Sequence, residues 1–143
     1  MNEFFGQYWY LLLGTLIIGW VVWLRWLSPA LAGVKNISID EYKERFHRTP
    51  HLLLDVRTEN EFTQGHSPKA QLIPGDQLAR RIHDFVQSVP TDKPVVCICA
   101  SGSRSAVAAT ALAKKGIKPI YNLSGGMGAW IQAKMPIKKG GIS

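Results

Sequence analysis

The sequence predicts an α/β domain, with a largely parallel sheet and helices on both faces, preceded by one transmembrane helix. Three observations carry this expectation. Short apolar runs alternate with helical patterns over residues 36–137, the order that produces parallel strands joined by crossover helices. Those runs are continuous rather than alternating, as strands covered on both faces must be. Residues 4–24 hold no charged side chain, and as a helix they span ~30 Å, the thickness of a bilayer core.

The N-terminal run is "FFGQYWYLLLGTLIIGWVVWL". Tyr8, Trp9 and Tyr10 sit near one end and Trp20, Trp23 and Trp26 near the other, as an interfacial belt would have them. The Ala30-x-Ala32 pair resembles a signal cleavage site. Against cleavage, no Lys or Arg precedes the run, and Arg25 separates it from that pair. The run is also longer than a signal core. An uncleaved anchor is therefore expected over residues 1–27, followed by a linker over 28–35. Arg25, Lys35, Lys43 and Arg45 follow the run closely. The positive-inside rule then gives a single-pass protein of a bacterial-type inner or plasma membrane. Its N-terminus is expected outside and its soluble domain in the cytoplasm. The expected partners are membrane lipid, through residues 4–27, and a membrane protein.

The soluble elements follow in order. Ser38-x-x-Glu41 matches a capping box, and Ile39, Tyr42 and Phe46 line one face of the helix behind it. "LLLDV" (52–56) is a buried strand, "ENEF" a short helix and "AQLI" a short strand. "DQLARRIHDFVQSV" is an amphipathic helix that stops before Pro90. "PVVCIC" is the next buried strand. Ser103 to Lys115 is a helix with Lys114 and Lys115 in its last turn and Gly116 as its stop. "PIYNL" is a strand and "GMGAWIQA" a final helix before Pro136. Residues 138–143 form a basic tail.

The chain of 143 residues suits one domain with a short appendage. Its net charge of +7 favours anionic partners. No basic run is interleaved with aromatics, so nucleic acid is not expected. His47, His51, His66 and His83 show no metal-ligand spacing with one another or with the cysteines. No metal and no cofactor is expected. Cys97 and Cys99 are too close in sequence for an easy bridge along a strand.

Cys99 ends an apolar strand, at the edge where α/β sheets place their ligands. Ala100-Ser101-Gly102-Ser103 follows, then Arg104 and a helix. Small residues let such a loop curl so that its amides point at the sulfur as an anion nest. Gly102 permits the backbone angles this needs. The helix start and Arg104 add positive charge. A thiol there is activated as a thiolate. Cys97, inside the run, is read as packing. Asp55 also lies at a strand end and, with Arg57, is a possible pocket residue. Arg57 and Glu61 are read as a structural ion pair, His66 as satisfying a turn, and Trp130 as core.

These residues resemble the rhodanese-like sulfurtransferases over about residues 36–137. "LLLDVRTENEFTQGHSPKAQLIP", "CASGSRS" and "LSGGMGAW" are similar to the family's ordered motifs. Ser67 and Lys69 stand where the family usually has an apolar residue and a Gly. The resemblance implies a five-stranded parallel sheet flanked by helices, and Cys99 as the catalytic residue that becomes a persulfide. Ala100, Ser101, Gly102, Ser103, Arg104 and Ser105 would form the persulfide loop. Arg104 is read either as a substrate-binding cation or as a brace. Related phosphatases and arsenate reductases place one more residue between Cys and Arg; here four intervene, which disfavours that chemistry. The expected function is a membrane-anchored sulfurtransferase. It would carry sulfane sulfur from a donor to a thiol or cyanide acceptor. The alternative is a membrane-tethered protein-interaction module with little catalysis.

Overall fold

A computed structural model describes residues 2–141, with the side chains of residues 2–5, 25 and 26 set aside. Strands β1 (Lys35–Ile37), β2 (Leu52–Asp55), β3 (Ala70–Leu72), β4 (Val95–Ile98) and β5 (Ile120–Leu123) form one sheet in the order β1-β5-β4-β2-β3. All four pairings are parallel. The expected α/β sheet is present. The central position of β4 explains its sequence: every residue of "VVCI" is buried, so no polar face survives.

The helices divide between the two faces. They are α1 (Asn2–Val22), α2 (Ser28–Leu31), α3 (Ile39–Phe46), α4 (Glu59–Gln64), α5 (Gly75–Ser88), α6 (Ser103–Lys114) and α7 (Gly126–Gln132). Side chains alternate across a strand, and β4 separates two cores accordingly. Val95, Cys97 and Cys99 join Leu54, Leu78, Phe85 and Leu112 on the α5 and α6 side. Val96 and Ile98 join Leu53, Tyr42, Phe46, Leu123 and Trp130 on the α3 and α7 side. Both cysteines therefore face α6.

Caps set the helix starts. Ser38 and Glu41 form the expected capping box on α3. Thr58 and Glu61 form a second on α4. The last helix is followed by chain that returns across the domain. The Trp130 indole N–H donates to the Pro136 carbonyl at 2.9 Å. Lys138 pairs with His66 through both backbone bonds. The His66 ring reaches the Phe62 carbonyl oxygen through Nδ1 at 2.7 Å, so it serves the turn after α4 as expected.

The transmembrane anchor expected over residues 1–27 is corrected. Among the described residues, no helix is long and apolar enough to cross a membrane. The α-helix ends at Val22, and Trp23–Leu27 is π-helical, so the regular helix stops before the apolar run does. Gln7, Tyr8, Trp9 and Tyr10 dilute its first turns. The mainly apolar stretch that remains, 11–24, is shorter than the ~20 residues a span needs. The side chains of Arg25 and Trp26, used for orientation and for the belt, lie outside the described residues. The single-pass topology at an inner or plasma membrane falls with the anchor. So do the lipid and membrane-protein partners.

Residues 28–35 contain α2, which packs against α6 and buries Pro29. Neither α2 nor β1 was expected. β1 has three residues, of which only Ile37 is buried, so it carries no apolar run to read.

The close approach of α7 to the loop after β4 gives a testable consequence. Met127 N–H donates to the Cys99 carbonyl at 2.8 Å, and Gly128 N–H to the Ala100 carbonyl at 3.2 Å. Gly126 starts this turn at φ +52°, and a Cβ there would meet the Cys99 carbonyl oxygen and, at 2.9 Å, the Ala100 carbonyl oxygen. Gly126→Ala is expected to lower stability by about 3 kcal/mol, the upper end of overpacking effects, in urea unfolding. A variant as stable as the parent would show that this turn relaxes freely.

Candidate active site

Cys99 follows the last residue of β4, and its side chain has no exposed surface. The loop after it turns back over the sulfur. Gly102 adopts φ +97° at the start of α6, a left-handed conformation that glycine takes without penalty. This turn aims the Gly102 N–H at Cys99 Sγ, 3.0 Å away. Ser105, in the first turn of α6, places its Oγ 3.3 Å from the same sulfur. The N-terminal end of a twelve-residue helix therefore points at Sγ, with the positive end of its dipole.

The electrostatic balance follows from these contacts. Burial pushes the Cys99 thiol up. The Ser105 hydroxyl and the amides of Ser105, Ser101 and Gly102 outweigh it, so the thiol sits below its ordinary range. Cys97 lies on the same face with no such donors, and burial pushes it up to about 12. Two chemically identical side chains are thus separated by the loop donors at one and the heavier desolvation of the other.

Ser105 extends the site inward. Its Oγ lies 2.6 Å from Asn122 Oδ1 on β5. Asn122 Nδ2 donates to Asn36 Oδ1 on β1 at 2.9 Å and to the Gly102 carbonyl at 3.1 Å. This buried chain ties three elements to the loop. Sequence reasoning included Ser105 but missed Asn122 and Asn36. The one available signal was a polar residue inside the apolar run "PIYNL".

Arg104 is at the rim. Its guanidinium makes a two-pronged pair with Glu61, Nη1 to Oε2 at 2.9 Å and Nη2 to Oε1 at 2.8 Å. The Arg104 hydrogen bonds hold the Glu61 carboxyl down at about 2. A carboxylate with a depressed pKa contributes its stability above the ordinary range near 4.5 and loses it as pH falls through about 2. The clamp is therefore closed at neutral pH.

The expected Arg57–Glu61 ion pair is corrected. Arg57 donates to the Glu61 backbone carbonyl at 3.3 Å, but its charge is given to Asp55, through Nε and Nη2, at 2.8 to 3.0 Å. Asp55 is fully buried and Arg57 nearly so. The pair joins the end of β2 to the end of α4, because Nη2 also reaches the Gly65 carbonyl at 2.8 Å. Beside the rim, a groove of 410 Å³ is lined by Val56, Leu78, Ile82, Val107 and Ala108, with Arg57 and Arg104 at its wall. Asp55 does not line it. Among the described residues, no cluster of His, Cys, Asp and Glu could hold a metal ion.

A parallel sheet whose central strand delivers a cysteine into an amide-lined loop at a helix start defines a class of α/β domain built around one thiol. The family model described as Rhodanese-like domain matches residues 38–133, and the chain belongs to that family. A protein named Sulfurtransferase from Allochromatium vinosum is 34% identical over 105 residues, covering 73% of this chain and 94% of the relative. Thiosulfate sulfurtransferase GlpE of Pseudoalteromonas translucida is 28% identical, covering 67% of this chain and 88% of the relative. Among solved structures, a rhodanese-like domain protein from Staphylococcus aureus matches with a TM-score of 0.59 and 37% identity, covering 68% of this chain and 91% of that one.

Proposed function

We propose that this domain is a sulfurtransferase that carries sulfane sulfur as a persulfide on Cys99. The observation that carries the reading is the sulfur cradle: a buried Sγ that accepts from the Gly102 amide at 3.0 Å at the head of α6. The names of the two relatives described above support the reaction class. The Cys99 thiolate attacks the outer sulfur of a donor. The Sγ–S bond forms as the donor's S–S bond breaks, and the electron pair leaves with the donor remainder. An acceptor thiolate or cyanide then attacks the terminal sulfur, and that bond's pair returns to Cys99. One neutral sulfur atom moves, so the cycle needs no oxidant, reductant or cofactor. The loop amides hold the negative charge of the persulfide as they hold that of the thiolate.

The rim favours an organic persulfide or polysulfide over thiosulfate as donor. Thiosulfate is a dianion, and the rim cation, Arg104, is already paired with Glu61. The groove lining is apolar and suits the body of an organic carrier. Incubation with an organic persulfide, followed by alkylation and peptide mapping, tests the proposal. The expected product is a persulfide on the Cys99 peptide, discharged by added cyanide. Absence of any such adduct with persulfide, polysulfide and thiosulfate alike would favour an interaction module.

The donor preference has its own test. Glu61→Gln leaves the guanidinium charge unneutralised. The KM for thiosulfate is expected to fall about two- to fivefold, the scale of one partly exposed charge pair, with a smaller fall for an organic persulfide, which carries one charge fewer at the reacting sulfur. An equal change for both donors would remove the electrostatic explanation.

A further inference from the structure

We propose that Asn122 is a positioning residue that controls how readily Cys99 ionises, by holding the single proton of the Ser105 hydroxyl. It rests on Cys99 being the nucleophile, and it goes beyond that reading by assigning a role to a residue two elements away.

The argument is a count of donors. Asn122 is buried and offers one acceptor oxygen and one NH₂ group. The Gly102 carbonyl, 3.1 Å from Nδ2, can only accept. A flipped amide would set oxygen against oxygen there, so the NH₂ faces Gly102 and Asn36, and Oδ1 faces Ser105. Oδ1 cannot donate. The 2.6 Å contact to Ser105 Oγ is therefore a bond in which Ser105 donates. Ser105 has one hydroxyl hydrogen, and Cys99 Sγ lies 3.3 Å from the same oxygen.

Two protonation states then need different hydroxyl positions. With Cys99 as a thiol, S–H donates to Ser105 Oγ while Ser105 donates to Asn122, and every partner is satisfied. With Cys99 as a thiolate, the best place for the Ser105 hydrogen is the sulfur. Turning it there strips Asn122 Oδ1 of its donor in a buried site. Asn122 thus competes with the thiolate for one proton. Once sulfur has been transferred, the negative charge resides on the outer sulfur. Sγ then needs no hydroxyl donor, and the Ser105 hydrogen returns to Asn122. Both the resting thiol and the loaded persulfide satisfy the chain; the reactive thiolate is the state that does not.

The other titratable or charged groups around Cys99 are Cys97 on its own strand, Arg104 on α6 and the Asp55–Arg57 pair at the end of β2. None is altered by the variants below.

The test follows Cys99 ionisation in the full chain by thiolate ultraviolet absorbance and by the pH dependence of alkylation at the Cys99 peptide. It needs no sulfur donor, so its failure is separate from failure of the transferase reading. Asn122→Leu frees the Ser105 hydrogen for sulfur and is expected to lower the Cys99 pKa by roughly one unit, about tenfold in thiolate fraction at fixed pH. Ser105→Ala removes the contested hydroxyl, and with it a donor that lowers the Cys99 thiol, and is expected to raise the pKa by less than half as much. The double variant should match Ser105→Ala, because Asn122 acts through Ser105. A folded Asn122→Leu with an unchanged or raised Cys99 pKa would overturn the proposal, as would a double variant that keeps the Asn122→Leu shift. If Asn122→Leu does not fold, the infrared S–H stretch of the parent decides. A band lowered by donation to Ser105, and released in Ser105→Ala, is expected; an unperturbed Cys99 S–H band overturns the assignment.

Discussion

Cys99→Ser is expected to abolish sulfur loading. Intact mass after exposure to an organic persulfide is expected to rise by one sulfur in the parent chain and in Cys97→Ala, and not at all in Cys99→Ser. The loading rate should fall at least about a thousandfold, as for loss of a covalent nucleophile elsewhere. The reason is the proton, not the size of the side chain. The cradle brings a thiol below its ordinary range. It cannot bring an alcohol, which starts far higher, to the alkoxide at neutral pH. Cys97 is unaffected for the converse reason: burial pushes its thiol up to about 12, with no loop donors to offset it. An adduct of undiminished size in Cys99→Ser would remove Cys99 from the chemistry. Its disappearance in a folded Cys97→Ala would make the two cysteines a functional pair.

The parts of this site that were legible in the sequence are those written in adjacent residues. Cys99 to Ser105 is one uninterrupted stretch, and its order of strand end, small residues, Gly and helix start already describes a loop folded over a sulfur. The structure places the Gly102 turn and the Ser105 hydroxyl in that stretch. What could not be read are the contacts that cross the fold. Asn36 and Asn122 are 86 positions apart, and each resembles an incidental polar residue until β1 and β5 are paired. Arg104 and Glu61 are 43 positions apart. Local spacing suggested Arg57 for Glu61 instead, since residues four apart adjoin on a helix. But Arg57 precedes α4, and the buried carboxylate of Asp55 claims its guanidinium.

The same distinction separates the sheet from the N-terminal segment. β2, β4 and β5 are buried on both faces, so their apolar runs are necessary and readable. β1 is a short edge strand with one buried residue, and its pairing depends on β5 being already in place. The expectation of a membrane span rests on a count of uncharged residues. That count is blind to the change from α- to π-helix after Val22 and gives tyrosine, tryptophan and glutamine the same weight as leucine.

Arg57→Met should produce the largest loss of stability. The substitution keeps much of the side chain's length and removes its charge. Asp55, fully buried, now receives three hydrogen bonds from the guanidinium and one from the Arg57 amide, all at 2.8 to 3.0 Å. After the change its carboxylate keeps only the amide, and the Gly65 carbonyl loses the donor it had at 2.8 Å. Breaking a buried pair from one side costs about 3–5 kcal/mol, a large part of the roughly 5–15 kcal/mol that holds a domain together. Urea unfolding should record that loss. Adding Asp55→Leu should recover about half of it or more, because the double variant leaves no buried charge unpaired. A single variant within about 1 kcal/mol of the parent would mean that water reaches Asp55. The consequence extends to the site. Arg57 fastens the end of α4, and α4 carries Glu61, which clamps Arg104. Loosening this joint should therefore weaken the rim clamp as well, and Arg57→Met should share part of the Glu61→Gln gain toward thiosulfate at temperatures where it remains folded.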